Sequence, residues 1–156
     1  MTNLASNHIE LRGLDLSGAL PNTVRSGHVV VGNFDGVHIG HRNLLRRACE
    51  LSGQDGRPVV ALTFEHVTES AARPPSRLTD RQEKVRLLFE NGVDAVVTQM
   101  LDDPSGHVAP SSFVESVLVR GFGAKSVVVG QNFRFGHSQD AVVSEIAEIA
   151  PKSGIA

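Results

Sequence analysis

The chain has no tryptophan and no tyrosine, its seven aromatic residues are all phenylalanine, and Cys49 is the one cysteine among 156 residues. A single cysteine excludes an internal disulfide and fits a reducing compartment. Fifteen Lys and Arg stand against seventeen Asp and Glu, for a net charge of −2, so there is no basic field to collect nucleic acid and few rings to stack bases. Any anionic ligand must be held by local geometry. No apolar run reaches membrane-spanning length, and the start "MTNLASNHIELRG" lacks the charged-then-apolar layout of a signal peptide. The expectation is a cytoplasmic protein with neither membrane nor nucleic acid among its partners. No G-x-G-x-x-G follows the first strand, which sets a dinucleotide dehydrogenase aside. No Ser-His-Asp set is legible, and no internal repeat or low-complexity tract occurs. The length suits one domain over residues 1–156.

What is present is alternation. Short β-branched runs recur as "HVVVG" (28–32), "PVVALTF" (58–64), "DAVVTQM" (94–100) and "KSVVVG" (125–130). Continuous apolar runs of this kind suit strands covered on both faces, as in a parallel sheet. Helical spacing lies between them. Leu44, Leu45, Ala48 and Leu51 share a face of the first helix. Thr79 with Gln82 predicts a capping box for the second, with Val85, Leu88 and Phe89 as its stripe and Gly92 ending it in the left-handed conformation. Ser112 with Glu115, then Val114, Val117 and Leu118, then Gly121, repeats that grammar, and a fourth helix is expected from Asp140 with Val142, Val143, Ile146 and Ile149 inward. Strand and helix in turn predict an α/β fold: a Rossmann-like parallel sheet with flanking helices. The loops 65–77 and 101–110 follow strands and are expected to border the ligand crevice.

The junction "VGNFDGVHIGH" (31–41) crowds two glycines of a turn, an Asp and two histidines between the first strand and the first helix. Exposed backbone N–H groups and the helix dipole make such a start attractive to phosphate. Gly36 permits an unusual turn, and Gly40 is expected to let a ligand approach the backbone closely. His38 and His41, three apart, can face one side of a first helical turn and donate to non-bridging oxygens. No Cys, Asp or third His lies at zinc-ligand spacing nearby, so metal ligands are not assigned. Spacing alone leaves both a structural turn and a phosphate site open.

The wording of the motif goes further. "GNFDGVHIGH" resembles the first signature of the FMN adenylyltransferase module of the bacterial bifunctional riboflavin kinase/FAD synthetase family, with the His-x-Gly-His element of the nucleotidyltransferase superfamily. "VVALTFE" is similar to the family's second strand, "RLTDRQEKVRLLFENGVDAVV" to its next helix and strand, and "SSFVESVLVRGFGAKSVVVGQNFRFG" to its third helix, fourth strand and "VGxNFRFG" signature. The likeness runs over roughly residues 8 to 145.

The resemblance implies transfer of AMP from ATP to FMN, giving FAD and pyrophosphate, with Mg2+. His38 and His41 would be the catalytic pair on the ATP phosphates. Gly32, Asn33, Phe34, Asp35, Gly40 and Asn132 would join them in binding ATP, with Asp35 also orienting donors or a hydrated metal. Phe64, His66 and Arg134 are the candidates for the flavin or acceptor pocket. Phosphoryl-type transfer relies on positioning and electrostatics, and the FMN phosphate is already an anion, so no strong base is needed. The chain departs from the family in three places. "HVTES" (66–70) replaces a "PHP" turn, no "SSTxIR" signature precedes "APKSGIA", and no riboflavin kinase domain follows. These departures leave three readings open: an incomplete part of a longer enzyme, a nucleotidyltransferase for another phosphorylated acceptor or with CTP, or a nucleotide-binding regulatory module with little turnover. An apolar C-terminal face left uncovered would also favour self-association.

Overall fold

Consecutive valines point to opposite sides of a strand, so a run such as "HVVV" must be covered twice. The computed structural model describes residues 8–12, 20–66, 78–101, 110–131 and 142–156. In it, β1 (Ile9–Arg12), β2 (His28–Val31), β3 (Val59–His66), β4 (Ala95–Leu101) and β5 (Ser126–Val129) form one sheet in the order β1-β4-β3-β2-β5. Every pairing is parallel, with Val29 opposite Val60 and Val127, and Val97 opposite Leu11 and Leu62. On one face Val30, Ala61 and Val96 meet Leu45, Ala48, Val85 and Leu88 of α1 (Ile39–Asp55) and α2 (Arg81–Glu90). On the other, Val29, Val31, Leu62 and Val97 meet Val114, Leu118 and Ile146 from α3 and α4 (Val142–Lys152). Here α3 denotes one helix that runs as an α-helix over Pro110–Ser112 and as a π-helix over Phe113–Gly121. The expected α/β sheet with helices on both faces is what forms. Among the described residues, no helix is long and apolar enough to cross a membrane.

The differences are local and have physical causes. β1 is absent from the sequence reading because "IELR" is short and lacks a continuous apolar run. It forms by lying beside β4, and Glu10 pairs with Arg81 at the start of α2. The cap of α2 is Asp80, not Thr79: its carboxylate accepts the Glu83 N–H at 2.8 Å, and Thr79 is engaged elsewhere. Ser112 does not cap α3, since it is already helical and makes no capping bond. The left-handed residue after that helix is Gly123 (φ 53°), two positions beyond the expected Gly121. Gly92 takes its expected left-handed conformation, at φ 92°. The proposed start of α4 at Asp140 lies outside the described residues.

A Ser-His-Asp set does exist, contrary to the sequence reading. Buried His28 places Nδ1 2.7 Å from Ser126 Oγ and Nε2 3.0 Å from Asp55 Oδ1. It ties the first residues of β2 and β5 to the last residue of α1, at the amino ends of the strands. The His28 hydrogen bond, aided by the Arg57 amide, holds the Asp55 carboxyl below the usual carboxylate range. Ser126 is only 5% exposed, so the set is a latch on the sheet rather than a nucleophile.

Candidate active site

In a parallel sheet, ligands bind outside the carboxyl ends of strands, where the connections diverge. β2 is that strand here: α1 leads from it to β3 on one side, while β5 lies on the other. The chain leaves β2 through Gly32, whose N–H still donates to the Leu62 carbonyl at 3.1 Å, and then turns left-handed. Phe34 (φ 53°), Gly36 (φ 76°) and Val37 (φ 42°) all have positive φ. A β-branched residue there is strained, and such turns persist only where neighbours hold them.

Asp35 supplies one hold. Its carboxylate accepts the Leu78 N–H at 2.9 Å, the Thr79 N–H at 3.0 Å and the Thr79 hydroxyl at 3.1 Å. The Leu78 amide is the main reason its carboxyl sits below the ordinary value, with the Thr79 groups and Lys84 adding to it. Thr79 Oγ1 in turn accepts the Gly36 N–H at 3.1 Å, which is why it is not free to cap α2. A Cβ on Gly36 would come within 3.0 Å of the Leu78 side chain, so this position needs glycine for space as well as for φ. Asp35 thus orients donors, as expected, but those of the protein's own loop.

His38 then caps α1. Its Nδ1 accepts the Gly40 N–H at 3.1 Å and the His41 N–H at 3.4 Å. The amides expected to greet a phosphate are therefore already taken. With Nδ1 an acceptor, the ring proton resides on Nε2, and the exposed imidazole presents that N–H outward. A Cβ on Gly40 would lie 3.0 Å from His38 Cε1, so the missing side chain there leaves room for the capping ring. The His41 ring stacks on His38 with centroids 3.7 Å apart and planes 18° apart. Beneath it, the buried Phe34 ring meets His41 edge-on at 5.2 Å, so that side chain forms the floor under the two histidines. Burial, and then the neighbouring His38, push His41 down to about 4, and its Nδ1 is buried without a hydrogen-bond partner. His41 is accordingly a neutral imidazole at physiological pH.

The remaining candidates divide. Asn33 is exposed, and its carbonyl accepts the Thr63 hydroxyl at 3.1 Å. Phe64 lies near the carboxyl end of β3 on the opposite sheet face, packed against the α3 and α4 side of the core. His66 is the last residue of β3, opposite Leu101. Asn132 and Arg134 lie outside the described residues. Three residues the sequence reading passed over join the site, Thr63, Lys84 and Arg42, whose Nε donates to the Val37 carbonyl at 3.2 Å, and Thr79, read there only as a helix cap, joins them. A polar residue inside an otherwise apolar stripe, as with Lys84 one turn before Leu88, was the available signal. Among the described residues, no cluster of three His, Cys, Asp or Glu is placed to hold a metal ion, and Asp35 already spends both oxygens on N–H and O–H donors. These residues do not fit a cation held by the protein itself.

The model of the FAD synthetase family matches residues 21–156. The chain belongs to the FAD synthetase family. The bifunctional riboflavin kinase/FMN adenylyltransferase of Escherichia coli K12 is 36% identical over 118 residues, covering 72% of this chain and 37% of that protein. The Haemophilus influenzae protein of the same description is 30% identical over 111 residues, covering 69% and 36%. The chain thus spans little more than a third of the length of these curated relatives. A crystal structure titled as a macrolide-efflux protein from Streptococcus pneumoniae superposes with a TM-score of 0.74 at 23% identity, over 90% of this chain and 47% of that one. That likeness shows the fold alone. In this member of the family, the signature 32–41 is a left-handed turn and a histidine-capped helix.

Proposed function

We propose that this FAD synthetase family chain is an FMN adenylyltransferase: a phosphate oxygen of FMN bonds to the α-phosphorus of ATP, the bond to the β-phosphate breaks, and FAD and pyrophosphate result. The observation that carries the reading is the cap of α1, which locks His38 with its Nε2–H facing outward beside a stacked, neutral His41. Two imidazoles fixed at a helix N-terminus can donate to non-bridging oxygens, and His41 does so as a neutral ring. Their hydrogen bonds strengthen as negative charge builds on those oxygens in the transition state. The amides capped by His38 polarise its ring, so the helix field reaches the phosphate through the imidazole. No residue needs to take a proton, since the attacking phosphate is already anionic. Magnesium would arrive as part of the ATP substrate and would offset phosphate charge there.

ATP and FMN are thus the proposed small-molecule partners and the cytoplasm the proposed location, with self-association through the C-terminal face as a further element. Ile155 is buried and residue 156 bonds to the edge of β5 at Lys125 and Val127, which covers part of that face. Sedimentation showing one compact monomer would remove self-association. The central test supplies Mg·ATP and FMN to the purified chain and measures FAD by chromatography, with CTP and a His38→Ala/His41→Ala variant in parallel. FAD that vanishes in the double variant supports the reading. Turnover with CTP or with another phosphorylated acceptor moves it to a different nucleotidyltransferase, and ligand binding without any product moves it to a binding module.

A further inference from the structure

We propose that Lys84 is a positioning residue of the nucleotide turn, holding the Asn33 carbonyl from inside α2 and so fixing the left-handed segment that presents His38 and His41. The proposal rests on the reading of that turn as a phosphate site. Lysine is among the side chains least often buried, yet Lys84 is 8% exposed and shares the inward face of α2 with Leu88. Its Nζ donates to Thr63 Oγ1 at 3.1 Å and to the Asn33 carbonyl at 3.4 Å. The Thr63 hydroxyl donates a hydrogen bond to the same carbonyl at 3.1 Å. Two donors therefore converge on one peptide group at the mouth of the turn, and a charge-assisted chain of this kind is stronger than its neutral equivalent.

The turn needs such an anchor. Its residues Phe34 and Val37 hold positive φ without being glycine, a conformation that persists only where neighbours hold it. Asp35 is fastened to the loop before α2, Val37 is fastened by Arg42, and Lys84 fastens the entry at Asn33. Without it, the segment is free to relax at its first residue, and the His38 and His41 rings lose their mutual stacking. Packing does not explain the residue. A methionine would fill nearly the same volume without desolvating a charge, and replacing a buried charge by a fitting apolar group is commonly neutral or stabilising. The desolvated ammonium is spent on the geometry of the turn.

The test uses the full chain with Lys84→Met and Lys84→Arg. Thermal melting, calorimetric binding of Mg·ATP and of inorganic tripolyphosphate, and the amide NMR resonances of residues 33–41 are measured. The expected result for Lys84→Met is an equal or higher melting temperature, displaced resonances over 33–37, and binding of both ligands weaker by about tenfold or more. Lys84→Arg should recover most of the affinity. Binding in Lys84→Met within about twofold of the parent, with unmoved resonances, overturns the proposal, as does a loss that merely follows a lowered melting temperature. Neither ligand requires FMN or turnover, so a chain that makes no FAD still tests Lys84. If the parent binds neither ligand, the resonances decide, and an unchanged 33–37 segment overturns it.

Discussion

The Nδ1 atom of His38 accepts the backbone N–H of His41 at 3.4 Å while the two rings stack with centroids 3.7 Å apart. The helix start is thereby built from the same two side chains that would touch the phosphates. Under the proposed function capping and catalysis are tied together, and a substitution at either histidine should show in both stability and rate.

Substitution of His38 separates the two roles. His38→Ala removes the cap and should cost about 1 kcal/mol of stability in a urea titration. It should also lower the rate of FAD formation by about a hundredfold or more, the effect typical of losing one donor to developing charge. His38→Asn, a good capping residue, should restore most of the stability and little of the rate. An Asn variant that recovers both would show that the ring does no more than cap the helix.

The pH dependence of stability should report His41. Its folded value of about 4 lies below the ordinary 6.5, so on acidification the unfolded chain takes up a proton first. This group therefore leaves stability unchanged above about pH 7 and lowers it as pH falls from 6.5 towards 4. Denaturant titrations at pH 7.5, 6 and 5 should show a steeper loss in the parent than in His41→Gln. Binding of a polyphosphate opposes the burial penalty on the imidazolium, so below pH 6.5 it should draw protons from the buffer. Calorimetry in two buffers of different ionisation enthalpy measures that uptake, and identical heats would refute it.

The parts legible in the sequence are those that nearest neighbours along the chain decide. The four β-branched runs are strands because both faces of a parallel sheet are covered, and α1 starts where the motif changes character at His38. What stayed hidden depends on partners distant in sequence. Thr79 looks like a cap because its own window says so, but Asp35, 44 residues away, claims its hydroxyl. β1 exists because β4 offers it an edge, and "IELR" alone has too few residues to announce that. The window around Gly40 does not show that the His38 ring turns back to lie against it. Lys84 draws no reading from its own window, because Thr63 and Asn33, which close over it, are distant in sequence.

Gly40→Ala should distinguish ring placement from helix stability. Alanine is a better helix former than glycine by about 1 kcal/mol, which offsets the loss of a cap of similar size. The new Cβ, 3.0 Å from His38 Cε1 and 3.1 Å from Nδ1, must displace the exposed ring. Melting should change little, whereas FAD formation should fall by about tenfold or more as Nε2 loses its aim. Undiminished turnover in this variant would mean that the observed His38 rotamer is not the working one.

The latch at the far end of the sheet should give the opposite pattern. His28→Ala leaves Ser126 Oγ buried without its partner and releases the end of α1 from β2 and β5. The loss of the buried bond to Ser126 should cost about 1–3 kcal/mol, and the partly exposed bond to Asp55 adds to the lowered melting temperature. The carboxyl ends of the strands, where the left-handed turn sits, are not touched by this change. At a temperature where the variant is still folded, its affinity for Mg·ATP and its rate of FAD formation should match the parent. A rate that falls in the folded variant would show that His28 bears on the site through α1, and that the two ends of the sheet are coupled.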